Sequence, residues 1–274
     1  MFFSAALALS LLSLVNAQAS LEIAAIEAHF SGAGIVPSLL TSFVPSAVLN
    51  VSFSGLGAIQ PGQALTKDQV APTPSLSVTP ANSSVSLDGS FTLVMADASV
   101  VGTDETKGQT RHWLVNGVTL TGSSPLNVST DAGLAVTTYA GPAPPAGEGP
   151  HRHVFRSTLY VLLLLPQPAT FSPPQNLSTA NVGVSVFNLN DYISSSNLGQ
   201  PIAGMYFTVA EGTTTASLPA TQAVNSATLA PASASGTSSA SSSAGTASPA
   251  NAAISTFVNA PLALLASAFG LMML

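Results

Sequence analysis

The chain contains no cysteine. That excludes a disulfide framework and any thiol chemistry, so stability must come from burial and hydrogen bonding alone. Charge is scarce as well: Lys and Arg number five and Asp and Glu eleven, for a net charge of −6. With no basic stripe to neutralise phosphates, nucleic acid is excluded as a partner. The common hydrolase signatures are missing too. There is no Gly-x-Ser-x-Gly elbow and no His-Glu-x-x-His pair. No catalytic residues are assigned, the chain is not read as an enzyme, and no cofactor is expected. A buried Asp/His pair can still act as acid and base in principle.

Both ends of the sequence are apolar. Residues 1–15 carry no side-chain charge, and Val15-Asn16-Ala17 fits a small-residue cleavage site. We expect residues 1–17 to be a signal peptide, with Gln18 the first mature residue. A retained anchor is the alternative, for which the run is short. A second apolar run, Ala260–Leu274, reaches the last residue with no Lys or Arg after it. A transmembrane helix normally keeps a basic stop, whereas a GPI signal needs small residues, a spacer and a bare apolar tail. We therefore expect a GPI signal over 251–274 with attachment at Asn251, or at the nearby Gly245 or Ser248. A tail-anchored span is the alternative. Residues 213–250 are almost wholly Ser, Thr, Ala, Gly and Pro. They cannot bury enough apolar surface to offset their ordering entropy, and so are expected to form a disordered stalk, O-glycosylated or a plain linker. The expected location is extracellular. The chain would stand at the cell surface, GPI-anchored to the plasma membrane or transferred to the wall, with the lipid anchor its one membrane contact.

What lies between is residues 18–212, enough for one domain with its own core. Ser20 can cap a short helix with Glu22 in its first turn, and Ile23, Ile26 and Phe30 give it an apolar face. The remainder reads mostly as strands: 47–53, 75–78, 84–87, 90–96, 112–115, 134–139, 154–165 and 201–209, with a helical turn at 188–195. Turn signals every ten or so residues point to a mainly β domain. Asn-x-Ser sequons at Asn50, Asn82, Asn127 and Asn176 are candidate glycosylation sites.

Four of the five basic residues (Lys107, Arg111, Arg152, Arg156) and three of the four histidines (His112, His151, His153) fall between positions 107 and 156. A Gly/Pro-rich loop from Tyr139 delivers His151 and His153, spaced i and i+2, to the start of a strand. Alternate strand residues share a face, so both rings look the same way. Asp97 ends an apolar strand, and His112 precedes Trp113. Taken singly, such an Asp is often a turn former and such a His a packing residue.

Together three segments resemble the phosphatidylethanolamine-binding protein family, also called the RAF-kinase-inhibitor or carboxypeptidase-Y-inhibitor family. They are Met95-Ala-Asp97-Ala-Ser-Val-Val101, Arg111-His112-Trp113-Leu-Val-Asn116, and Gly141-Pro-Ala-Pro-Pro145 through His151-Arg-His153. Gly34-Ile-Val-Pro37, Leu65-Thr-Lys-Asp-Gln69 and Leu198-Gly-Gln-Pro-Ile-Ala-Gly204 extend the match over nearly the whole domain. The resemblance implies a large antiparallel sheet packed on a smaller one, with a few peripheral helices. It also implies a small anion pocket onto which Asp97, His112 and His151 fall, with Pro144 and Pro145 in its loop. Ser99 replaces the family's second Asp, Val101 the motif proline, Ala143 the loop glycine and His153 the tyrosine. The pocket thus loses a carboxylate and gains an imidazole.

The expected ligand site comprises Asp97, His112, Ala143, Pro144, Pro145, His151 and His153. An anionic headgroup would meet loop N–H groups and imidazole donors, with Asp97 orienting one imidazole and favouring its protonated form. The expected partner is a small anion or phospholipid headgroup, held more tightly as pH falls toward about 5. Two alternatives stay open. The histidines and aspartate are adequate Zn²⁺ or Cu²⁺ ligands, although the resemblance argues against a metal and none is assigned. A protease partner, inhibited through surfaces outside the pocket as in some family members, is the other.

Overall fold

The computed structural model describes residues 19–98, 108–142 and 157–210. Of the expected features, the signal peptide, the stalk, the attachment signal with Asn251, Lys107, Arg152, Arg156, the loop residues Ala143, Pro144 and Pro145, and His151 and His153 all lie outside them.

Helix α1 (19–32) comes first. Ile23, Ile26 and Phe30 are buried along one face, as their spacing predicts. Ser20 is not its cap: the helix already includes Ala19, which is itself buried and extends the packed face. A single kinked turn, α2 (Ile35–Ser38), follows. The strands are β1 (Ala47–Phe53), β2 (Gly57–Ala58), β3 (Gln63–Leu65), β4 (Ser75–Pro80), β5 (Phe91–Asp97), β6 (Gln109–Thr121), β7 (Leu126–Ser129), β8 (Leu134–Thr137), β9 (Ser157–Pro166), β10 (Ser185–Phe187) and β11 (Ala203–Ala210). Helix α3 (Leu189–Ser195) precedes the last of them, with Asn188 as its cap accepting from the Asp191 N–H.

The fold is mainly β. The larger sheet runs β6-β5-β9-β11-β3, with β8 and β10 on the outer edge of β6. The smaller sheet is β2-β1-β4-β7, and the end of β6 joins it through Thr119–Thr121. Gly117, with φ +78°, is the extra residue of a bulge opposite Phe91 and Thr92, where β6 passes from one sheet to the other. Pairing is antiparallel except between β3 and β11.

The larger sheet is covered on both faces. Leu49, Val51, Phe53 and Val78 of the smaller sheet pack on Leu93, Met95, Tyr160, Leu162 and Phe207. On the other face Phe30, Phe43 and Tyr192 cover Val94, Leu114, Val161, Leu163 and Tyr206. Double coverage explains why β5 and β9 read as unbroken apolar runs rather than alternating ones. One expected strand does not form. Residues 84–87 follow a turn in which the Asn82 side-chain oxygen takes the Ser84 N–H at 2.9 Å and its carbonyl the Val85 N–H at 3.2 Å. That local capture competes with strand pairing.

Candidate functional site

The site lies where β5 ends, and a bulge in β6 builds it. Met95 pairs with Trp113 and Ala96 with Arg111, so His112 has no partner of its own on β5. An extra residue breaks the alternation of side chains. His112 and Trp113 therefore face the same side, where the His112 ring meets Tyr160 edge-on at 5.2 Å and Trp113 meets Tyr139 at the same separation. Arg111 is turned to the opposite face, against Phe187. Of the cationic cluster suggested by the sequence, Arg111 and His112 thus lie on opposite faces of the sheet, and Arg111 is not part of this site.

The His112 ring is 7% exposed and held in a defined orientation. Its Nδ1 lies 3.0 Å from the Ala140 carbonyl oxygen, while the Ala140 N–H donates to the His112 carbonyl at 2.9 Å. A carbonyl only accepts, so Nδ1 carries the proton and the neutral ring keeps its lone pair on Nε2. Nε2 makes no hydrogen bond among the described residues. Burial pulls the His112 pKa below the ordinary imidazole value, and the Ala140 bond opposes that shift more weakly. Ala140, rather than Asp97, orients this ring.

Asp97 acts instead on Tyr160, its register partner on β9. The phenol is fully buried, and the Asp97 carboxylate and the Thr158 hydroxyl are the polar groups that act on it. Burial first, then the charge of Asp97, pushes its pKa far above the usual phenol range. Tyr160 therefore stays protonated beside Asp97. Asp97 and His112 thus flank one tyrosine. Sequence reasoning passed over Tyr160 because it sits inside an apolar run. A hydroxyl in such a run needs a partner, and that need was the available signal.

The entry to the Gly/Pro loop is fixed against the same place. The Tyr139 hydroxyl donates to the Val70 carbonyl at 2.6 Å. A β-carbon on Gly141 would stand 3.0 Å from that carbonyl oxygen and 3.1 Å from the Ala71 Cα. The chain leaves this anchored point at Pro142 and is described again from Ser157, three residues before Tyr160. Among the described residues no group of three or more His, Cys, Asp or Glu is placed to hold a metal ion.

Comparison with known sequences decides the family: the profile of the phosphatidylethanolamine-binding proteins matches residues 56–207. The chain belongs to the phosphatidylethanolamine-binding protein family. Within it, the chain is 28% identical over 181 residues to a 26 kDa secreted antigen of Toxocara canis, a match spanning 65% of this chain and 62% of the antigen. It is also 28% identical over 197 residues to the carboxypeptidase Y inhibitor of Saccharomyces cerevisiae, spanning 61% of this chain and 85% of the inhibitor. In structure it resembles the carboxypeptidase Y inhibitor crystallised with its cognate proteinase. The TM-score is 0.52 at 23% identity, with 70% of this chain and 95% of the inhibitor covered. This likeness shows that the family fold, a large sheet with few short helices, is the fold of this chain. Among its described residues no helix is long and apolar enough to cross a membrane.

Proposed function

We propose that this family member is a non-catalytic binding protein whose pocket takes a phosphate-type anion, free or as a phospholipid headgroup. The observation that carries the reading is the His112 bulge, which brings an imidazole whose Nε2 makes no hydrogen bond among the described residues beside the Asp97–Tyr160 pair at a single sheet end. His151, His153 and the loop residues Ala143, Pro144 and Pro145 complete the pocket in this proposal. The anchoring of Tyr139–Gly141 beside His112 supports it. The neutral His112 ring, protonated on Nδ1, presents only a lone pair at Nε2 and cannot donate there to an anion. Once protonated, the ring offers an N–H to the anion. Because the His112 pKa is lowered, that change comes below about pH 6.5. Anion affinity should therefore rise as pH falls through this range. Calorimetric titration with glycerophosphoethanolamine, a phosphodiester of constant charge, checks the direction. Weaker binding at lower pH sinks the reading.

The domain is displayed outside the cell in this proposal, released from a signal peptide at 1–17 and carried on the 213–250 stalk by a GPI anchor. Similarity to a secreted antigen supports the extracellular half of that statement. Asn127 and Asn176 are exposed, whereas Asn50 and Asn82 are half-buried. The first two are therefore the better glycan acceptors, and peptide mapping after glycosidase treatment tests this ranking.

The yeast relative favours a second reading, as an inhibitor of a serine carboxypeptidase through surfaces outside the pocket. An inhibition assay on carboxypeptidase Y separates the two. Inhibition that survives His112→Ala supports this reading, and no inhibition at micromolar protein removes it.

A further inference from the structure

The other face of the larger sheet holds a cation that the anion-pocket reading does not use. Arg111 is 1% exposed. Its Nε donates to Thr137 Oγ1 at 2.6 Å, and its Nη2 to the Gly183 carbonyl at 2.9 Å and to Ser185 Oγ at 3.1 Å. All three acceptors are neutral. Phe187 lies under the guanidinium, 5.4 Å from ring centre to Cζ. The nearby Tyr192 phenol is pushed up by burial and donates to Asn116 Oδ1, so it brings no negative charge. Among the described residues no carboxylate forms an ion pair with Arg111, and its two Nη1 donors make no hydrogen bond. A buried cation in this state is costly, and arginine escapes that cost poorly because it does not lose its proton. Burial does lower the Arg111 pKa, in keeping with missing compensation.

Arg111 lines a groove of about 330 Å³, within the range of small-molecule sites. Its rim includes Val182 and Val186, which are 39% and 60% exposed. Leu177 and Phe187 supply further apolar wall. Val182, open to water, and the Leu177 and Phe187 side chains stand around a buried guanidinium that makes no ion pair among the described residues, and together they form an amphipathic cleft. Asp191 also lines the groove, and its carboxylate disfavours a doubly charged occupant. We propose that this groove is a second ligand site that takes a small organic monocarboxylate, its carboxylate on Arg111 Nη1 and its apolar body against Val182 and Leu177. It lies across the sheet from His112 and functions independently of the anion pocket.

Benzoate is a suitable probe for the full-length protein, with benzamide as its uncharged counterpart. Benzoate should bind saturably and benzamide at least about tenfold more weakly, the margin expected for one lost charge-assisted hydrogen bond. Arg111→Gln tests the cation but risks the fold, because three hydrogen bonds go with it. Val182→Asp, at the exposed rim, keeps the fold and should weaken benzoate at least about tenfold by like-charge repulsion. It should leave glycerophosphoethanolamine binding unchanged, and His112→Ala should leave benzoate binding unchanged. The proposal is overturned by an absence of saturable benzoate binding, by equal affinity for benzamide, by an unaffected Val182→Asp protein, or by loss of benzoate binding in His112→Ala. A protein that binds benzoate but no phosphodiester would leave this site standing and remove only the anion-pocket reading.

Discussion

Gly108 enters β6 with φ +88°, and a β-carbon there would lie 2.4 Å from the Phe187 carbonyl oxygen. Gly55 has a similar φ of +81° but open space around it. The pair separates backbone strain from collision. Gly55→Ala should cost about 1–2 kcal/mol, the usual penalty of the left-handed region. Gly108→Ala should cost more than Gly55→Ala, because it also forces β6 away from β10, and urea denaturation of the two variants gives the difference. The histidines make a second residue-scale prediction. Burial lowers the pKa of both His29 and His112, so above about pH 6.5 the folded and unfolded chains are equally neutral at these positions. Below that value the unfolded chain takes up protons first. Stability should therefore fall as pH drops from about 7.5 to about 5.5, and His112→Gln should flatten that slope. Glu27, whose pKa burial raises, acts in the opposite sense nearer the carboxyl range. A midpoint of denaturation that rises toward pH 5.5 contradicts this assignment.

Helix α1 and helix α3 hold the helical face of the larger sheet by different means. Phe30 of α1 stacks on Phe43 at 4.0 Å and meets Tyr206 edge-on at 5.6 Å, over a sheet position where Gly204 leaves room for it. Phe30→Ala should cost about 3–5 kcal/mol, measured by chemical denaturation. Helix α3 is tied by polar contacts. The Tyr192 hydroxyl and Thr92 Oγ1 both donate to Asn116 Oδ1 at 2.9 Å, and Gln167 donates to Thr92 at 2.8 Å. Tyr192→Phe should cost about 1 kcal/mol and speed hydrogen exchange within α3 before the sheet opens. The contrast bears on what could be read from the sequence. Phe30 was legible because its i, i+3, i+7 pattern is written in neighbouring residues. The strands 47–53, 90–96 and 201–209 were legible for the same reason. β2, β3, β7 and β10 were not, since they are two to four residues long and owe their form to distant partners. The His112 bulge was hidden in a similar way. It is a mismatch between two strands, and neither strand alone records it. Asp97 and His112 could be placed at a site by family resemblance, whereas Tyr160, Ala140 and the division of Arg111 from His112 needed the register.

At the scale of the molecule, one sheet separates two polar sites. Asp97, Tyr160 and His112 lie on the face packed by the smaller sheet, and Arg111 on the face packed by the helices. Sites that share no partners contribute additively, so ligands of the two faces should bind without coupling. The central proposal, however, concerns the first site alone: that a desolvated imidazole, presented by a bulge and with no hydrogen bond to Nε2 among the described residues, receives a phosphate-type anion. The most direct test is calorimetric titration of glycerophosphoethanolamine into the full-length protein and its His112→Ala variant at about pH 7.5 and about pH 5.5. The account predicts tighter binding at the lower pH and an affinity at least about tenfold weaker in the variant there, as expected for loss of one hydrogen bond to a charged group. Equal affinities in the two proteins at the lower pH would contradict it.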